Sequence, residues 1–283
     1  MSRRYGSLQI LAAATLWGTT GPVQVLARLP VAPAAVGGMR ILAGGLVLLA
    51  WTLARHGPGP LATAIVFGVA PVATGLAAWV IGRSPLGLGW AASTACAVAG
   101  CILLLRPGHG SRADGVGVVL AVVAAACYAV YTVSAKRLAE DDAAMTASVS
   151  ITLIAGGLIL TPWLVIAGPG LFSGRALLTV AWLGPVTTAV AYMLFVQGLR
   201  TVPAATAGTL SLAEPLVAAL AGIGLLHEHL AAPAVIGCGL LAAGLAFASL
   251  RSRPERPQDR RVGAAAGSAP DATVRVAVRP GQG

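Results

Sequence analysis

Two charged side chains lie far inside apolar stretches of this 283-residue chain: Arg40 in "AAVGGMRILAGGLVLLAW" and Glu214 in "TLSLAEPLVAALAGIGLL". In lipid an ionisable group at helix-centre depth costs roughly 2.5–3.5 kcal/mol on insertion scales, so such groups face a cavity or a partner and mark function. Glu214 is suited to exchanging a proton for a solute or to holding a cationic amine. Pro215 follows it and removes a backbone N–H, which weakens the helix and frees carbonyl groups. Pro71 is a second expected kink. The Arg40 guanidinium matches a carboxylate in bidentate fashion, or pairs with Glu214. The structural alternatives are a carboxylate hydrogen-bonded to a neighbouring helix and a snorkelling cation.

Aromatic and amide groups in the same kind of stretch are the next candidates for lining a cavity: Trp17, Tyr128, Tyr131, Tyr192, Gln197 and Gln24. Tyr128 and Tyr131, three apart, share one helical face. Packing at the lipid interface explains such aromatics equally well. His227 and His229 flank Glu228 in a His-x-His arrangement. No further His, Cys or Asp is expected nearby, so a loop is the simpler reading than a metal site. Cys96, Cys101, Cys127 and Cys238 form no C-x-x-C pair and read as small apolar filler. Nothing calls for a cofactor.

The elements that must position these groups are membrane helices. Hydrophobic residues make up 57% of the chain and charged residues 10%, against roughly 25% charged in a soluble domain. Stretches of about 20 apolar residues, enough to cross a bilayer, recur at 8–27, 31–53, 61–82, 86–105, 115–135, 145–167, 177–199, 204–226 and 232–250. The formal charge of +10 resides in loops and tail, as expected for topology signals rather than nucleic-acid binding. Residues 251–283, with seven Arg against three acids, read as a disordered tail. The N-terminal Arg3-Arg4 and apolar run read as an uncleaved first helix.

The chain also repeats itself. "AGGLVLLAW" (43–51) returns as "AGGLILTPW" (155–163), 112 residues later. Further along, Pro71 matches Pro215 and Gly100 matches Gly244, at an offset of 144. The 32-residue jump between the offsets equals one helix and its loop. A duplicated five-helix unit that has lost one helix near 55–60 accounts for both. The expected architecture is an all-α polytopic membrane protein of two inverted repeats, with about nine transmembrane helices (4+5): repeat one over 8–106, repeat two over 114–250, tail over 251–283. Inverted repeats characterise secondary transporters, with the solute site between the halves near mid-membrane. Nine crossings put the two ends of the chain on opposite sides, and make spans one and two parallel to their partners five and six. Without the tail, Lys and Arg then divide six against five, so charge decides nothing; the tail tips it toward a cytoplasmic C-terminus.

Residues 209–247, "TLSLAEPLVAALAGIGLLHEHLAAPAVIGCGLLAAGLAF", resemble the last two helices of an EamA-type repeat of the drug/metabolite transporter superfamily. Glu214-Pro215 and Glu228 take the family's Glu-Pro and turn positions. The first half repeats the phrase as "FGVAPVATGLAAWVIGRSPLGLGWAASTACAVAGCILLL", with Ala70 in place of the Glu and Ser84 in place of the turn acid. "TLWGTTGPVQVLA" (15–27) is similar to the family's opening helix and "MRILAGGLVLL" (39–49) to its second. The resemblance implies a multi-pass carrier of the bacterial inner membrane, exporting amino acids or related small metabolites, drugs among them, by alternating access. Its partners would be the solute, the bilayer, and a coupling proton or exchanged solute; a homodimer is left open. The competing readings are a transport-impaired variant, a non-transporting scaffold, and an integral-membrane enzyme. No G-x-S-x-G, D-D-x-x-D or H-E-x-x-H supports the last.

Overall fold

Lipid offers the backbone no hydrogen bonds, so a chain this apolar must satisfy its own, and helices do so within each segment. The computed structural model describes residues 3–57, 88–104, 115–138, 142–227 and 230–250, and among these there is no strand. The first span is α1 (Arg3–Gly18) and α2 (Thr20–Ala27), broken at Thr19. The second is α3 (Pro33–His56), started by a proline in its first turn and ended by Gly57 at φ +70. Then come α4 (Leu88–Leu104), α5 (Gly115–Leu138) and α6 (Asp142–Ile159). The last bends by 50° into α7 (Thr161–Ala167) and a 3-10 turn (Gly168–Phe172). A continuous span joins α8 (Gly174–Ala181), a π-helical stretch (Trp182–Val190) and α9 (Ala191–Leu199). The chain closes with α10 (Ala204–Ser211), α11 (Ala213–Leu226) and α12 (Ala232–Leu250). Five of these spans are long and apolar enough to cross a membrane, and the bent α6–α7 pair makes a sixth. The expected span at 61–82, Pro71, Glu228, His229 and the tail lie outside the described residues. The helix loss expected near 55–60 falls at the end of α3 and beyond it.

Glycines set the tightest contacts. A Cβ on Gly100 would meet the Leu241 nitrogen at 2.5 Å and the Gly237 oxygen at 2.6 Å; one on Gly244 would meet Ala97 and Ser93. Shifting each partner by 144 residues converts the first set into the second: 241 becomes 97, and 237 becomes 93. Cys96 donates its thiol to the carbonyl of Leu240, 144 residues on, at 3.3 Å. In the other seam Gly45 faces Ile154 while Gly157 faces Leu42, and there the exchanging offset is 112. Contacts that come in exchanged pairs are those of antiparallel helices about a local two-fold axis, a packing with which both sequence offsets are compatible.

The same contacts give helix directions. Gly38, Leu42 and Gly45 meet Leu160, Gly157 and Leu153 in turn, so α3 and α6 run antiparallel. The α4–α12 pair is antiparallel by the same test. The expectation that spans two and six are parallel is therefore corrected. It rested on one crossing for every apolar stretch, whereas close packing sets α3 against α6, and α4 against α12, in opposite directions. α1 is antiparallel to α9, with Gly6 against Gly198 and Val202, and Trp17 against Tyr192.

One end of the bundle thus gathers Gly6, the end of α3, Lys136 (bonded to the Leu199 carbonyl at 2.7 Å), and Arg200. The cations at helix ends there are Arg3, Arg4, Arg55, Lys136, Arg137 and Arg200, against Arg28 and Arg175 at the opposite end. That six-to-two division among the described residues replaces the tie found by counting spans. Reporters fused before Tyr5 and after Leu250 should report the same compartment; opposite compartments would contradict these helix directions.

Candidate functional site

Arg40 stands on α3 where that helix presses against the π-helical stretch. A Cβ on Gly44 would clash with Thr188 and the Gly184 carbonyl, and one on Gly184 with Ala43. Pro185 within the stretch supplies no backbone N–H, and Thr187 and Thr188 both turn their hydroxyls onto the Leu183 carbonyl, at 2.9 and 2.8 Å. π-helical turns of this kind recur at functional sites. The Arg40 Nη1 donates to Thr20 Oγ1 at 3.3 Å, and its Nε is buried with no hydrogen-bond partner. Thr20 opens α2 directly after the break at Thr19, whose own hydroxyl accepts from Trp182 Nε1 at 3.2 Å.

Glu214 lies across from it. Pro215 leaves the Ser211 carbonyl without an i+4 donor, and the helix breaks at Leu212, whose N–H turns to Thr209. Glu214 therefore sits in the first turn of α11, its backbone packed on Gly18 of α1. Its side chain is exposed rather than packed within protein. It interacts electrostatically with Arg40 on α3, Tyr128 on α5, Tyr192 on α9 and Cys101 on α4. Arg40 and Glu214 interact electrostatically but form no direct ion pair among the described residues.

One turn back along α1, the expected aromatics do converge. Trp17 meets Tyr192 edge-on with centroids 5.3 Å apart, and Tyr192 meets Tyr131 at 6.0 Å. Tyr128 lies 6.4 Å from Tyr131 and donates to or accepts from Ser211 Oγ at 2.9 Å. At the centre is Phe195, fully buried and in ring contact with Trp17, Tyr128 and Tyr131. Sequence reasoning missed Phe195, since nothing polar or charged singles out a phenylalanine in an apolar helix; its spacing of three from Tyr192 on one helical face was the available signal. It also missed the π-helical stretch, which "LGPVTT" signalled by a proline inside an apolar span.

Two expected residues lie apart. Gln197 accepts from Gln9 Nε2 at 2.9 Å near the Arg55 end. Gln24 contributes its backbone carbonyl, which accepts from Arg28 N at 3.3 Å where α2 ends in a left-handed turn. His227 ends α11 in the same left-handed conformation. Beyond the aromatic layer, toward Arg55, a small cavity of about 10 Å³ touches Leu48 and Tyr192. It shares Thr146, Met193 and Val196 with a larger one of about 90 Å³.

A chain whose described residues form helices and turns, with several spans apolar enough to cross a bilayer, is a polytopic membrane protein. The model of the EamA-like transporter family matches residues 115–250. The uncharacterized transporter YwfM of Bacillus subtilis (strain 168) is 32% identical over 88% of this chain and 95% of its own length. The threonine/homoserine exporter RhtA of Salmonella typhimurium (strain LT2) is 30% identical over 76% of this chain and 71% of its own. A solved crystal structure superposes with a TM-score of 0.66 at 21% identity, covering 88% of this chain and 99% of that one, which establishes the shared fold. The chain belongs to the EamA-like transporters of the drug/metabolite transporter superfamily, multi-pass membrane carriers of small molecules.

Proposed function

We propose that the protein exports a small zwitterionic metabolite of the amino-acid class from the bacterial cytoplasm. Arg40 receives its carboxylate and Glu214 its ammonium. The observation that carries this reading is the geometry of those two groups: opposite charges, from helices in different halves, within electrostatic range yet not paired. A solute carrying both charges fits between them and completes both, with the buried Nε of Arg40 as a ready donor. Bidentate guanidinium–carboxylate pairing adds orientation as well as energy. Tyr192, Trp17 and Tyr128 flank the space and suit the solute's non-ionic part. The threonine/homoserine exporters among the relatives support this substrate class and direction.

The exchanged contact pairs support two inverted repeats, over 8–106 and 114–250, with the site between them. The six-to-two division of cations supports the Arg55 end as cytoplasmic, and with it a cytoplasmic tail on an inner-membrane carrier. Transport proceeds by alternating access, with Glu214 exchanging its solute for a proton or a second solute. The test is counterflow of L-threonine in proteoliposomes. Arg40→Lys keeps the charge but not the fork, and should lower flux by about tenfold, the loss of roughly 1.4 kcal/mol. Wild-type flux in Arg40→Lys would remove the bidentate contact from the mechanism.

A further inference from the structure

The charged end of the bundle holds a second group of polar side chains that the central site does not use. Arg55, in the last turn of α3, rests its guanidinium over the Trp51 ring, 5.3 Å from the centroid. This stacking occupies the guanidinium face and leaves its N–H edge open; among the described residues that edge makes no hydrogen bond. Arg55 and Trp51 line the cavity of about 90 Å³ together with His56, Thr146, Met193 and Gln197. Gln197 accepts from Gln9 through its oxygen, and its amide N–H groups have no partner among the described residues. A guanidinium edge and an amide donor therefore converge on one polar hollow.

The hollow leads inward. Through Thr146, Met193 and Val196 it adjoins the smaller cavity of about 10 Å³ that ends at Leu48 and Tyr192, room for about one water. Tyr192 closes this passage on one side, packed edge-on against Trp17 and Tyr131. It also interacts electrostatically with Arg40 and Glu214. One tyrosine thus lines the smaller cavity and interacts with both central charges.

We propose that the cavity at the end of α3 is a first docking site for a carboxylate-bearing solute, with Arg55 and Gln197 as its donors and Tyr192 as the barrier between it and the central site. The inference rests on the proposed function for the identity of the solute, and on the cavity alone for the binding of a carboxylate. An Arg over a Trp at a helix end is also how a headgroup anchor looks. The hollow that both side chains share with α9 distinguishes the two.

Met193→Cys and, independently, Thr146→Cys place a thiol in the cavity, in a background with Cys96, Cys101, Cys127 and Cys238 replaced by Ala. The readout is the rate of modification by a methanethiosulfonate reagent in purified protein. Sodium propionate is expected to slow it by about fivefold, and propylammonium to leave it unchanged, as a single charge-assisted pair predicts. Arg55→Gln should remove the protection, while Glu214→Gln should leave it intact. The last arm separates this site from the central one, because failure of the proposed function would show in counterflow and not here. Equal protection in Arg55→Gln, or protection by phosphatidylglycerol and none by propionate, would overturn the proposal.

Discussion

Replacing Glu214 by Gln is expected to lower L-threonine counterflow by about 30-fold or more. The substitution keeps the side chain's size and the turn that carries it. What Gly18 packs against is the backbone oxygen of residue 214, not its carboxylate, so the α1–α11 seam survives and thermal stability should hold within about 0.5 kcal/mol, as for accessible positions generally. What disappears is the negative charge that faces Arg40, Tyr128 and Tyr192. A solute ammonium would meet a neutral amide beside a guanidinium. Truncating one partner of a desolvated charge pair costs about 2–5 kcal/mol, and about 1.4 kcal/mol is a tenfold change, so the lower bound gives roughly the loss stated. The assay should therefore show a well-folded protein with little flux. Unchanged flux would take Glu214 out of the mechanism.

The largest structural effect is expected at Gly100. Leu241, Gly237 and Leu104 meet in the α4–α12 seam with backbone against backbone, and a Cβ at Gly100 would approach three atoms of the partner helix within 2.9 Å. Backbone atoms cannot swing aside as the end of a side chain can, so Gly100→Val must push the helices apart. Overpacking costs about 1–3 kcal/mol where side chains adjust, and this seam sits at or beyond the upper end. Because Gly244 is its exchanged equivalent, Gly244→Val should be similarly damaging. Gly208 provides the control: no atom of the described residues lies within 4 Å of its Cβ position, and Gly208→Ala should stabilise α10 by about 0.5–1 kcal/mol through helix propensity. Melting temperatures of detergent-purified protein will compare the three. A Gly100→Val protein as stable as wild type would mean the helices are not in this contact.

The two charges were legible in the sequence because an ionisable group inside an apolar stretch is expensive enough to need a reason. The glycine seams were legible too, as the offsets that relate Gly100 to Gly244 and the segment 43–51 to 155–163. Helix direction was not. Counting apolar stretches assigns one crossing to each, and only the pairing of Gly45 with Ile154 and of Gly157 with Leu42 reveals that α3 and α6 oppose each other. Phe195 was hidden for a different reason: a buried phenylalanine has the same pattern in sequence whether it fills a core or backs a cavity. Gln24 showed the converse, since its polarity suggested a lining role while its carbonyl ends a helix. Arg55 stood out from neither charge nor spacing, because cations are common at helix ends; its stacking on Trp51 and the cavity beside it emerge only from packing.

The account turns on Arg40 and Glu214 reading opposite ends of one solute. The direct measurement is inhibition of L-threonine counterflow by threonine amide, which lacks the carboxylate, and by N-acetylthreonine, which lacks the ammonium, in wild type, Arg40→Gln and Glu214→Gln. Wild type should discriminate against both derivatives, Arg40→Gln should lose its discrimination against the amide alone, and Glu214→Gln its discrimination against the N-acetyl compound alone. Variants that both keep, or both lose, their preference against the two derivatives equally would contradict the assignment.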